Sequence, residues 1–372
     1  MIDKNFDIII IGAGVSGLIL ANEILTRTRK SVLILEREKK IGREKNLCFW
    51  NIPKNVVSNK ADNRWKNISL IMNGKKTTLK EEGIEYLRIK YQNLYKFFVN
   101  RIIKYDNSKI LMNQAVSQVK VKKDHVLVSA NEVIYKSKLL FDSRMEKIEE
   151  GRDKLKQHFY GAEITFEEDI LDNNEIILMD IQDKEDSFNF FYILPLTKKK
   201  ALIETTYFSS KLLNIGYYKK DLNSYLLNKY NGKKYTIGFE EIGVIPMYKI
   251  KNINLKNCIK IGVAGNWAKQ STGYSLQNSF IYSKQIVDCI LDNKYPRLKY
   301  NKFISFLDQT FCNFILKYPE KSKLFFENFF KKNKLSTLVN FLNNSASAYD
   351  ILKIILRLPK YHLLESIFLR KK

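Results

Sequence analysis

Residues 6–25, FDIIIIGAGVSGLILANEIL, decide the fold, because an apolar run, a glycine-rich turn and a second apolar run follow one another there. The first run predicts a buried strand and the second predicts an apolar helix. The glycines of GAGVSG permit a tight turn, and the N-terminus of the following helix favours the negative charge of a pyrophosphate. The stretch therefore predicts a dinucleotide-binding domain. Its predicted cofactor-binding residues are Gly12, Ala13, Gly14, Val15, Ser16 and Gly17.

A second predicted strand, SVLILE (31–36), ends in an acid nineteen residues after Gly17. A carboxylate at this position can accept a hydrogen bond from a ribose 2′-hydroxyl, and it would repel the 2′-phosphate of NADP. Glu36 is therefore predicted to bind the cofactor, and the expected dinucleotide is FAD or NAD.

A second glycine-rich stretch, CIKIGVAGNWAKQSTGYSLQNSF (258–280), favours FAD over NAD. The pattern predicts a strand, a turn and a helix, and in FAD-dependent folds the chain returns at such a segment to close over the flavin. Gly273 would let the backbone approach the flavin, and Gly265 and Tyr274 are also predicted to bind the cofactor. The alternative is an ordinary strand–turn–helix unit without a ligand.

Residues 201–209, ALIETTYFS, place one carboxylate in a predicted buried strand. Side chains alternate along a strand, so Glu204 would share a face with residues 202, 206 and 208. Ionised carboxylates are rarely buried without a partner or a purpose. The preceding stretch FNFFYILPL (188–196) is predicted to pair with this strand as a hairpin, in an antiparallel sheet that is covered on both faces.

The basic composition limits the classes of partner that we expect for the protein. The formal charge of +25 includes 52 Lys but 12 Arg residues, spread along the chain. Because Arg dominates base and phosphate recognition, we expect no nucleic-acid partner. The excess indicates either compositional bias or an anionic membrane surface.

Cysteine and histidine usage indicates neither a disulfide framework nor a metal site. The four Cys residues form no C-x-x-C pair and the three His residues are scattered. This pattern favours a reducing, intracellular compartment and no bound metal. The apolar start lacks the basic leader of a signal peptide, and no run reaches the ~18 apolar residues that cross a bilayer.

From residue 295 onward the pattern predicts helices, with apolar residues recurring at helical spacing. This tail contains 15 basic and 5 acidic residues. A basic amphipathic tail could lie on an anionic membrane surface. The alternative is a set of helices that cover the substrate domain and present a lysine-rich outer face.

Together the patterns predict an α/β fold with a Rossmann-like FAD-binding domain, an antiparallel-sheet substrate domain and a helical C-terminal region. The discontinuous FAD-binding domain would comprise residues 1–60, 110–155 and 255–292. The substrate domain would comprise 61–109 and 156–254, followed by a helical cap at 293–372.

Eight short motifs occur in an order that resembles the lycopene cyclases, the flavoproteins that close β-ionone rings on linear carotenoids. The resemblance extends to about residue 292 and looks closest to the bacterial β-cyclases. The motifs are LCFW (47–50), FDSR (141–144), QHFYGAEI (157–164), LMD (178–180), FFYILPLT (190–197), LIETT (202–206), EIGVIPM (241–247) and KQSTGYSL (269–276).

The resemblance implies an isomerase that converts lycopene to γ- or β-carotene with no net electron transfer. It also implies FAD in its reduced form, NAD(P)H as the electron source, and a cytoplasmic protein held peripherally at the inner face of the membrane. Glu204 matches the essential acidic position of the family, and burial would raise its pKa so that it stays protonated at neutral pH. Either Glu204 or the flavin could deliver the first proton.

Further residues at family motifs are assigned roles by the same resemblance. The acids that could orient Glu204, hold the flavin or take the final proton are Glu163, Asp180 and Glu241. The residues expected to line the substrate channel are Phe190, Phe191, Tyr192 and Tyr207.

Two other functions compete with cyclisation. A redox flavoenzyme of the same fold, such as a lipid reductase or monooxygenase, typically carries Gly-Asp in the C-terminal flavin motif, where this chain has Gly262 and Val263. A non-catalytic carotenoid- or membrane-binding protein would have no need of Glu204. Thr205 stands where plant β-cyclases carry a second acid, so the number of carotenoid ends that are closed stays open.

Overall fold

The computed structural model describes residues 4–40, 45–145, 147–184, 187–251 and 255–368, which form two large sheets, one small sheet and a set of helices. The strands are β1 (Asn5–Ile11), β2 (Val32–Leu35), β3 (Asn46–Trp50), β4 (Asn63–Trp65), β5 (Asn67–Met72), β6 (Lys75–Leu79), β7 (Tyr86–Lys90), β8 (Ser108–Leu111), β9 (Val116–Val121), β10 (Val126–Ala130), β11 (Val133–Asp142), β12 (Lys156–Phe166), β13 (Glu175–Gln182), β14 (Phe188–Pro195), β15 (Lys200–Ser209), β16 (Tyr235–Pro246) and β17 (Cys258–Lys260). The helices are α1 (Val15–Arg27), α2 (Tyr91–Ile102), α3 (Ile215–Lys229), α4 (Leu276–Leu291), α5 (Lys302–Lys317), α6 (Ser322–Lys331), α7 (Leu335–Leu342), α8 (Ala348–Arg357) and α9 (Lys360–Phe368).

The first sheet has the strand order β8-β2-β1-β11-β10-β9, and β17 also pairs with β11. Strands β8, β2, β1, β11 and β17 are parallel, whereas β10 and β9 continue the sheet as antiparallel strands. Ile8 and Ile10 pack against helices on one face, and Ile9 and Ile11 pack in a second core on the other. Burial on both faces explains why β1 is a continuous apolar run.

The second sheet has the strand order β16-β12-β15-β14-β13-β5-β6 and is antiparallel except where β13 pairs with β5. Strands β14 and β15 form the predicted hairpin. The hydroxyl of Thr197 holds its turn by accepting from the backbone N–H groups of Lys199 and Lys200 at 3.2 and 3.0 Å. The small third sheet has the order β3-β7-β4.

Helices cover both faces of the second sheet, as its apolar composition predicts. Helix α3 packs with one face in a core that includes Phe191 and Tyr207. Helices α5 to α8 pack with the other face in a core that includes Leu202 and Phe208. The predicted fold class is therefore confirmed: a Rossmann-like α/β sheet, an antiparallel sheet and a helical C-terminal region.

The predicted domain boundaries stay a prediction. Strands β5 and β6, from the range 61–109, extend the second sheet. From the same range, β8 pairs with β2 and α2 packs against α1, so these two elements lie with the first sheet.

Candidate active site

A cleft of about 820 Å³ lies at the C-terminal ends of the parallel strands of the first sheet. The turn between β1 and α1 forms one wall, the residue after β2 forms another, and the segment after β17 closes a third. In doubly wound folds, ligands bind outside the C-terminal ends of the strands. The predicted residues that line it are Gly12, Gly14, Val15, Ser16, Gly17 and Glu36.

The three glycines of the turn differ in what they permit. Gly12 has a φ of +97°, which residues with side chains rarely adopt. A Cβ added at Gly17 would lie 2.1 Å from the carbonyl oxygen of Gly12, so α1 can pack this closely only without a side chain there. A Cβ at Gly14 would meet no atom within 4 Å, which leaves the backbone open to the cleft. This cradle fits the pyrophosphate of a dinucleotide.

Glu36 lies at the edge of the turn. Its carboxylate accepts hydrogen bonds from the backbone N–H groups of Ala13 and Glu38 at 2.7 and 3.0 Å. Ala13 is fully buried, so its own role is through its backbone. Its carbonyl oxygen accepts from the hydroxyl of Tyr91 at 2.8 Å.

A buried ion-pair cluster at the end of β11 reaches the cleft through Arg144, which the predictions did not include. Arg144 donates to both carboxylate oxygens of Asp142 at 3.0 Å, and Lys260 donates to Asp142 at 3.1 Å. Burial alone would raise the pKa of Asp142, but the hydrogen bonds from Arg144 outweigh it and hold that pKa below its ordinary value. The motif FDSR was the available signal, since Ser143 also lines the cleft.

The second glycine-rich stretch contributes to the cleft a glycine that was not predicted, whereas the predicted Gly265 and Gly273 lie elsewhere in the stretch. Gly262 lines the cleft with a φ of +63°. Gly265 does not line the cleft. A Cβ added at position 265 would lie 2.4 Å from the carbonyl oxygen of Lys260. The carbonyl oxygen of Gly265 accepts a hydrogen bond from Tyr300 at 3.0 Å. The close packing of the segment, and not a ligand, therefore requires glycine at position 265.

A second cavity of about 310 Å³ adjoins the cleft, because Leu47 and Ser275 line both. Glu204 lines this cavity, and so do Gly273 and Tyr274. Gly273 has a φ of +73°. The turn before α4 therefore lies at the wall of the cavity that contains Glu204.

Glu204 meets a second acid, Glu241, across a glycine. In the sheet register Gly161 of β12 lies opposite Glu204 of β15 on one side and opposite Glu241 of β16 on the other. A Cβ at Gly161 would lie 2.5 Å from Cγ of Glu204. The two carboxyl groups can thus approach each other over the central strand only because position 161 has no side chain.

Glu241 is the first member of a polar chain that runs away from the cavity. Its carboxylate accepts from the side-chain amide of Asn46 at 3.0 Å, and the amide oxygen of Asn46 accepts from Arg88 at 2.7 Å. Arg88 is 2% exposed and pairs with Glu163 at 3.6 Å. Lys200 also pairs with Glu163. Glu163 therefore supports the site indirectly, by neutralising Arg88.

The environment of Glu204 favours its protonated form. Burial raises the pKa of Glu204 well above its ordinary value, and the charge of Glu241 raises it further. Burial also raises the pKa of Glu241, although hydrogen bonds from Asn46 and Glu204 oppose this shift. Two carboxyl groups in contact cannot both ionise easily, so the pair shares a proton. The resulting neutral acid faces a cavity lined by aromatic, aliphatic and uncharged polar side chains.

Asp180 is not part of this pair, contrary to the prediction of an acid–base role. It lies on the face of the sheet that α3 covers, opposite Phe191 of β14. Its carboxylate accepts from Tyr225 and Lys229, both at 2.6 Å. Asp180 therefore ties β13 to α3.

The four predicted channel residues divide by strand alternation. Phe190 and Tyr192 line the cavity. Phe191 and Tyr207 do not, because they point to α3, where Phe191 stacks on Tyr225 with ring centroids 3.6 Å apart. The prediction was wrong for this second pair.

Tyrosine hydroxyls form a chain along the cavity wall. Tyr192 donates to Tyr86 at 3.1 Å, and the hydroxyls of Tyr86 and Tyr274 are 3.3 Å apart. Burial raises the pKa of Tyr274 to about 12, and it raises the pKa values of Tyr86 and Tyr192 well above that of ordinary tyrosine. Burial also raises the pKa of Cys48 to about 12. The cavity wall is thus uncharged at neutral pH, apart from the carboxyl pair.

His158 lies outside the candidate site. Its imidazole is buried between Tyr218 and Ser209, on the α3 side and away from the cavity.

Across the ranges given above, His, Cys, Asp and Glu residues form no group of three that could hold a metal ion. In the same residues, every helix is too short or too polar to span a bilayer.

Several solved structures share the fold. A geranylgeranyl bacteriochlorophyll reductase-like protein from Thermoplasma acidophilum has 15% sequence identity and a TM-score of 0.69, over 97% of this chain and 98% of that one. A flavoprotein/dehydrogenase from Cytophaga hutchinsonii has 9% identity and a TM-score of 0.66, over 99% and 100%. A halogenase in complex with FAD has 13% identity and a TM-score of 0.57, over 91% of this chain and 78% of that one. These likenesses establish the flavoprotein fold.

Sequence comparison identifies the family. No curated protein sequence matches the chain. The family described as "Lycopene cyclase protein" matches residues 7–367, which is nearly the whole chain. This match confirms the resemblance drawn from the eight motifs and extends it through the helical tail. The protein belongs to the lycopene cyclase family.

Proposed function

We propose that the protein is a lycopene β-cyclase, which isomerises a linear carotenoid end to a β ring without net electron transfer. The observation that carries the proposal is the Glu204–Glu241 carboxyl pair, which lies beside the dinucleotide cleft in a cavity without other charged side chains among its described lining residues. Ring closure needs an acid that stays protonated at neutral pH and surroundings that exclude water. The raised pKa of Glu204 and the absence of other charged side chains from the described part of the cavity wall support this role.

In the proposed reaction Glu204 gives its proton to the terminal double bond of the substrate. The neighbouring double bond attacks the resulting carbocation and closes the ring. A proton then leaves the ring and returns to the carboxyl pair, so one proton is gained and one is lost. The hydrogen bond from Asn46 stabilises the carboxylate of Glu241, and the negative charge of Glu241 favours return of the proton to Glu204.

The cavity residues also protect the carbocation. Phe190, Tyr192 and Phe208 turn aromatic side chains to the cavity, and aromatic faces attract cations. A bound polyene end that fills the cavity would exclude water, which would otherwise add to the carbocation.

FAD is the proposed cofactor, held by the turn from Gly12 to Gly17, by Glu36, by Gly262 and by Arg144. In its reduced, anionic form, generated with electrons from NAD(P)H, it would supply negative charge that stabilises the cation. The open backbone at Gly14 supports this assignment.

The test is expression in bacterial cells that accumulate lycopene, with pigments separated by chromatography. We expect γ-carotene or β-carotene from the native chain, and their ratio shows how many ends are closed. Glu204→Gln should reduce ring formation by about 10²-fold or more, which is typical for loss of a general acid.

The matched control is Glu240→Gln. Glu240 is next to Glu241 on β16, but it is exposed and pairs with Lys219 at 2.8 Å. This variant should retain native activity. Unchanged product from Glu204→Gln would refute the assigned role of that acid.

A redox reaction on an apolar substrate is the second candidate. Its support is the structural likeness to a protein described as geranylgeranyl bacteriochlorophyll reductase-like. The two functions differ in reductant use. A reductase or monooxygenase consumes one NAD(P)H for each product molecule, whereas a cyclase needs reductant only to reduce its flavin once. Stoichiometric consumption would favour the redox function.

We also propose that the protein is a cytoplasmic protein bound peripherally to an anionic membrane. Its carotenoid substrate is an apolar molecule that partitions into lipid. The tail is basic, with 15 basic and 5 acidic residues from position 295 onward. Its helices α8 and α9 also carry exposed apolar side chains, namely Tyr349, Leu352, Leu356, Tyr361 and Leu364.

A further inference from the structure

A third cavity, of about 400 Å³, lies among the C-terminal helices, whose role the sequence left open. We call it the outer pocket. Its walls come from α5, α6, α7, α8 and α9. Most of the side chains that line it are Phe, Leu or Ile, among them Leu307, Phe311, Ile355 and Leu363.

The outer pocket shares a wall with the cavity that contains Glu204. Five residues line both spaces. They are Ser271, Thr272, Phe326, Phe329 and Leu342. Only one layer of side chains, most of it supplied by α6 and α7, therefore separates the two spaces.

The outer pocket also reaches the surface. Three of the residues that line it are more than half exposed: Phe303 at 52%, Leu356 at 56% and Leu364 at 55%. Large apolar side chains with this exposure mark the mouth of the pocket. An apolar molecule can thus enter between α5, α8 and α9.

The polar groups of the outer pocket are satisfied by the protein itself. Asp308 is 5% exposed, pairs with Lys269 at 2.8 Å and accepts from Ser271 at 2.8 Å. Thr310 donates to the carbonyl oxygen of Phe306 at 3.0 Å. With these groups already bonded, the pocket favours an apolar ligand.

We propose that the outer pocket holds the distal part of the linear carotenoid while one end of the molecule lies beside Glu204. This inference rests on the proposed function. The inner cavity, at 310 Å³, is near the lower limit of ligand pockets, which occupy ~300–1,000 Å³. It suits an end group, and the rest of a long polyene needs further apolar space. The outer pocket offers that space where the shared side chains, Phe326, Phe329 and Leu342 among them, rotate aside.

The test compares two substrates that share one end. One is lycopene, and the other is an apo-lycopenal that keeps the reacting end but lacks the distal part. Ile355→Trp and Leu307→Trp fill the outer pocket from opposite walls. We expect each to lower kcat/KM for lycopene by about tenfold or more, since overfilling a packed site is costly, and to change it less than about twofold for the short substrate.

The matched control is Leu324→Trp. Leu324 is on α6, next to the lining residue Phe325, but it is 48% exposed and does not line the outer pocket. This variant should convert both substrates like the native chain. Retained turnover of the short substrate shows that the other variants are folded.

A second readout does not need turnover: the carotenoid that copurifies with each variant from lycopene-accumulating cells. Ile355→Trp should reduce the lycopene bound per protein by about tenfold, as expected for loss of a contact worth roughly 1.4 kcal/mol. The inference would be overturned if both pocket variants bound and converted lycopene as well as the native chain does. The outer pocket would then be a site for a lipid chain or for another copy of the protein. A native chain that binds lycopene in this way but converts neither substrate would instead refute the proposed function alone.

Discussion

At the scale of the residue, the site depends on a glycine, Gly161, because a side chain at this position would separate two acids. Glu204 and Glu241 belong to strands that do not touch, because β12 runs between them. Neighbouring strands lie ~4.8 Å apart, so two such spacings separate the backbones of the acids. The carboxyl groups meet across this gap over Gly161. Gly161 is thus a positioning residue for the acid.

Gly161→Ala should impair catalysis more than folding. The added Cβ would lie 2.5 Å from Cγ of Glu204, so the glutamate side chain must move and the carboxyl pair must separate. We expect a loss of about 10²-fold in ring formation, comparable to a misplaced catalytic group. Pigment analysis in lycopene-accumulating cells measures it.

Gly238→Ala is the control for that substitution. Gly238 lies on β16, and a Cβ there would contact the carbonyl oxygen of Glu163 at an ordinary 3.5 Å. This variant should remain active. Equal activity of both alanine variants would show that residue 161 does not position Glu204.

The pH dependence of turnover should report the carboxyl pair. In the proposed reaction the protonated acid is the active form, so activity should be present below the raised pKa of Glu204 and be lost as the pH rises through it. Burial makes the largest contribution to this raised pKa, and the charge of Glu241 makes the next largest. Glu241→Gln removes the contribution of that charge. The alkaline limb of the rate profile should therefore shift to lower pH.

Initial rates measured across pH for the native chain, Glu241→Gln and Glu240→Gln test this shift. The exposed acid Glu240 should have no influence on the limb. A limb that stays in place in Glu241→Gln would mean that the two carboxyl groups are not coupled. The raised pKa of Glu204 also affects folding stability. The folded state keeps this proton to a higher pH than the unfolded state does, so the stability due to Glu204 is lost as the pH rises through the raised pKa.

At the scale of the element, a buried ion pair joins the turn beside the active site to the C-terminal helices. Lys269 begins the turn that contains Gly273, and it pairs with Asp308 of α5. Lys269 also donates to the side chain of Asn344, which follows α7, at 2.8 Å. The turn thus keeps its place at the cavity wall through contacts with the tail.

Asp308→Asn should destabilise the protein strongly. It leaves the ammonium group of Lys269, at 1% side-chain exposure, without its counter-ion. Breaking a buried pair in this way costs about 3–5 kcal/mol of the free energy of unfolding. Urea denaturation at equilibrium, followed by tryptophan fluorescence, measures the change.

The exposed pair of Glu327 and Lys331 on α6 provides the comparison. Both side chains are more than a third exposed and their charged atoms are 2.7 Å apart. Glu327→Gln should cost less than about 0.5 kcal/mol, because water screens such pairs. Similar losses in both variants would contradict the anchoring role of Asp308.

At the scale of the whole molecule, the positive charge and the exposed apolar side chains occur together on the tail. Lys353 and Lys360 belong to the same two helices as Leu352, Leu356 and Leu364. Apolar side chains can enter a bilayer interface while lysines contact anionic headgroups. Such a surface would place the mouth of the outer pocket at the lipid.

Binding to anionic vesicles should therefore be salt-sensitive and should depend on the tail. We expect Lys353→Glu with Lys360→Glu to weaken binding to phosphatidylserine vesicles, measured by sedimentation, by about 30-fold or more, since each lysine near the surface contributes roughly 1 kcal/mol. High salt should weaken binding of the native chain as well.

The control makes the same charge change at the C-terminal end of β9, with Lys120→Glu on the strand and Lys122→Glu just after it. Both lysines are exposed at the far edge of the first sheet. This variant should bind vesicles more tightly than the tail variant. Equal binding of the two, or equal partitioning of the native chain onto neutral and anionic vesicles, would argue against a tail-directed electrostatic contact.

Much of the fold was predictable because its signals are local. The run from Phe6 to Leu25 contains its own strand, turn and helix, and the structure has β1 and α1 there. Strand alternation also placed Glu204 on one face with Leu202 and Phe208. It could not tell which face borders the cavity, so the predictions assigned Phe191 and Tyr207 to the channel.

The sequence by itself determined the dinucleotide turn, the buried acid Glu204 and the family, because glycine spacing, periodicity and short motifs are written within a few neighbouring residues. Only the tertiary structure decided that Glu241 is its partner, that Asp180 faces α3 and that the C-terminal helices enclose a pocket. The physical reason is that strand order and register bring together residues that are distant in sequence. Packing of the whole chain sets that order, and no local pattern contains it.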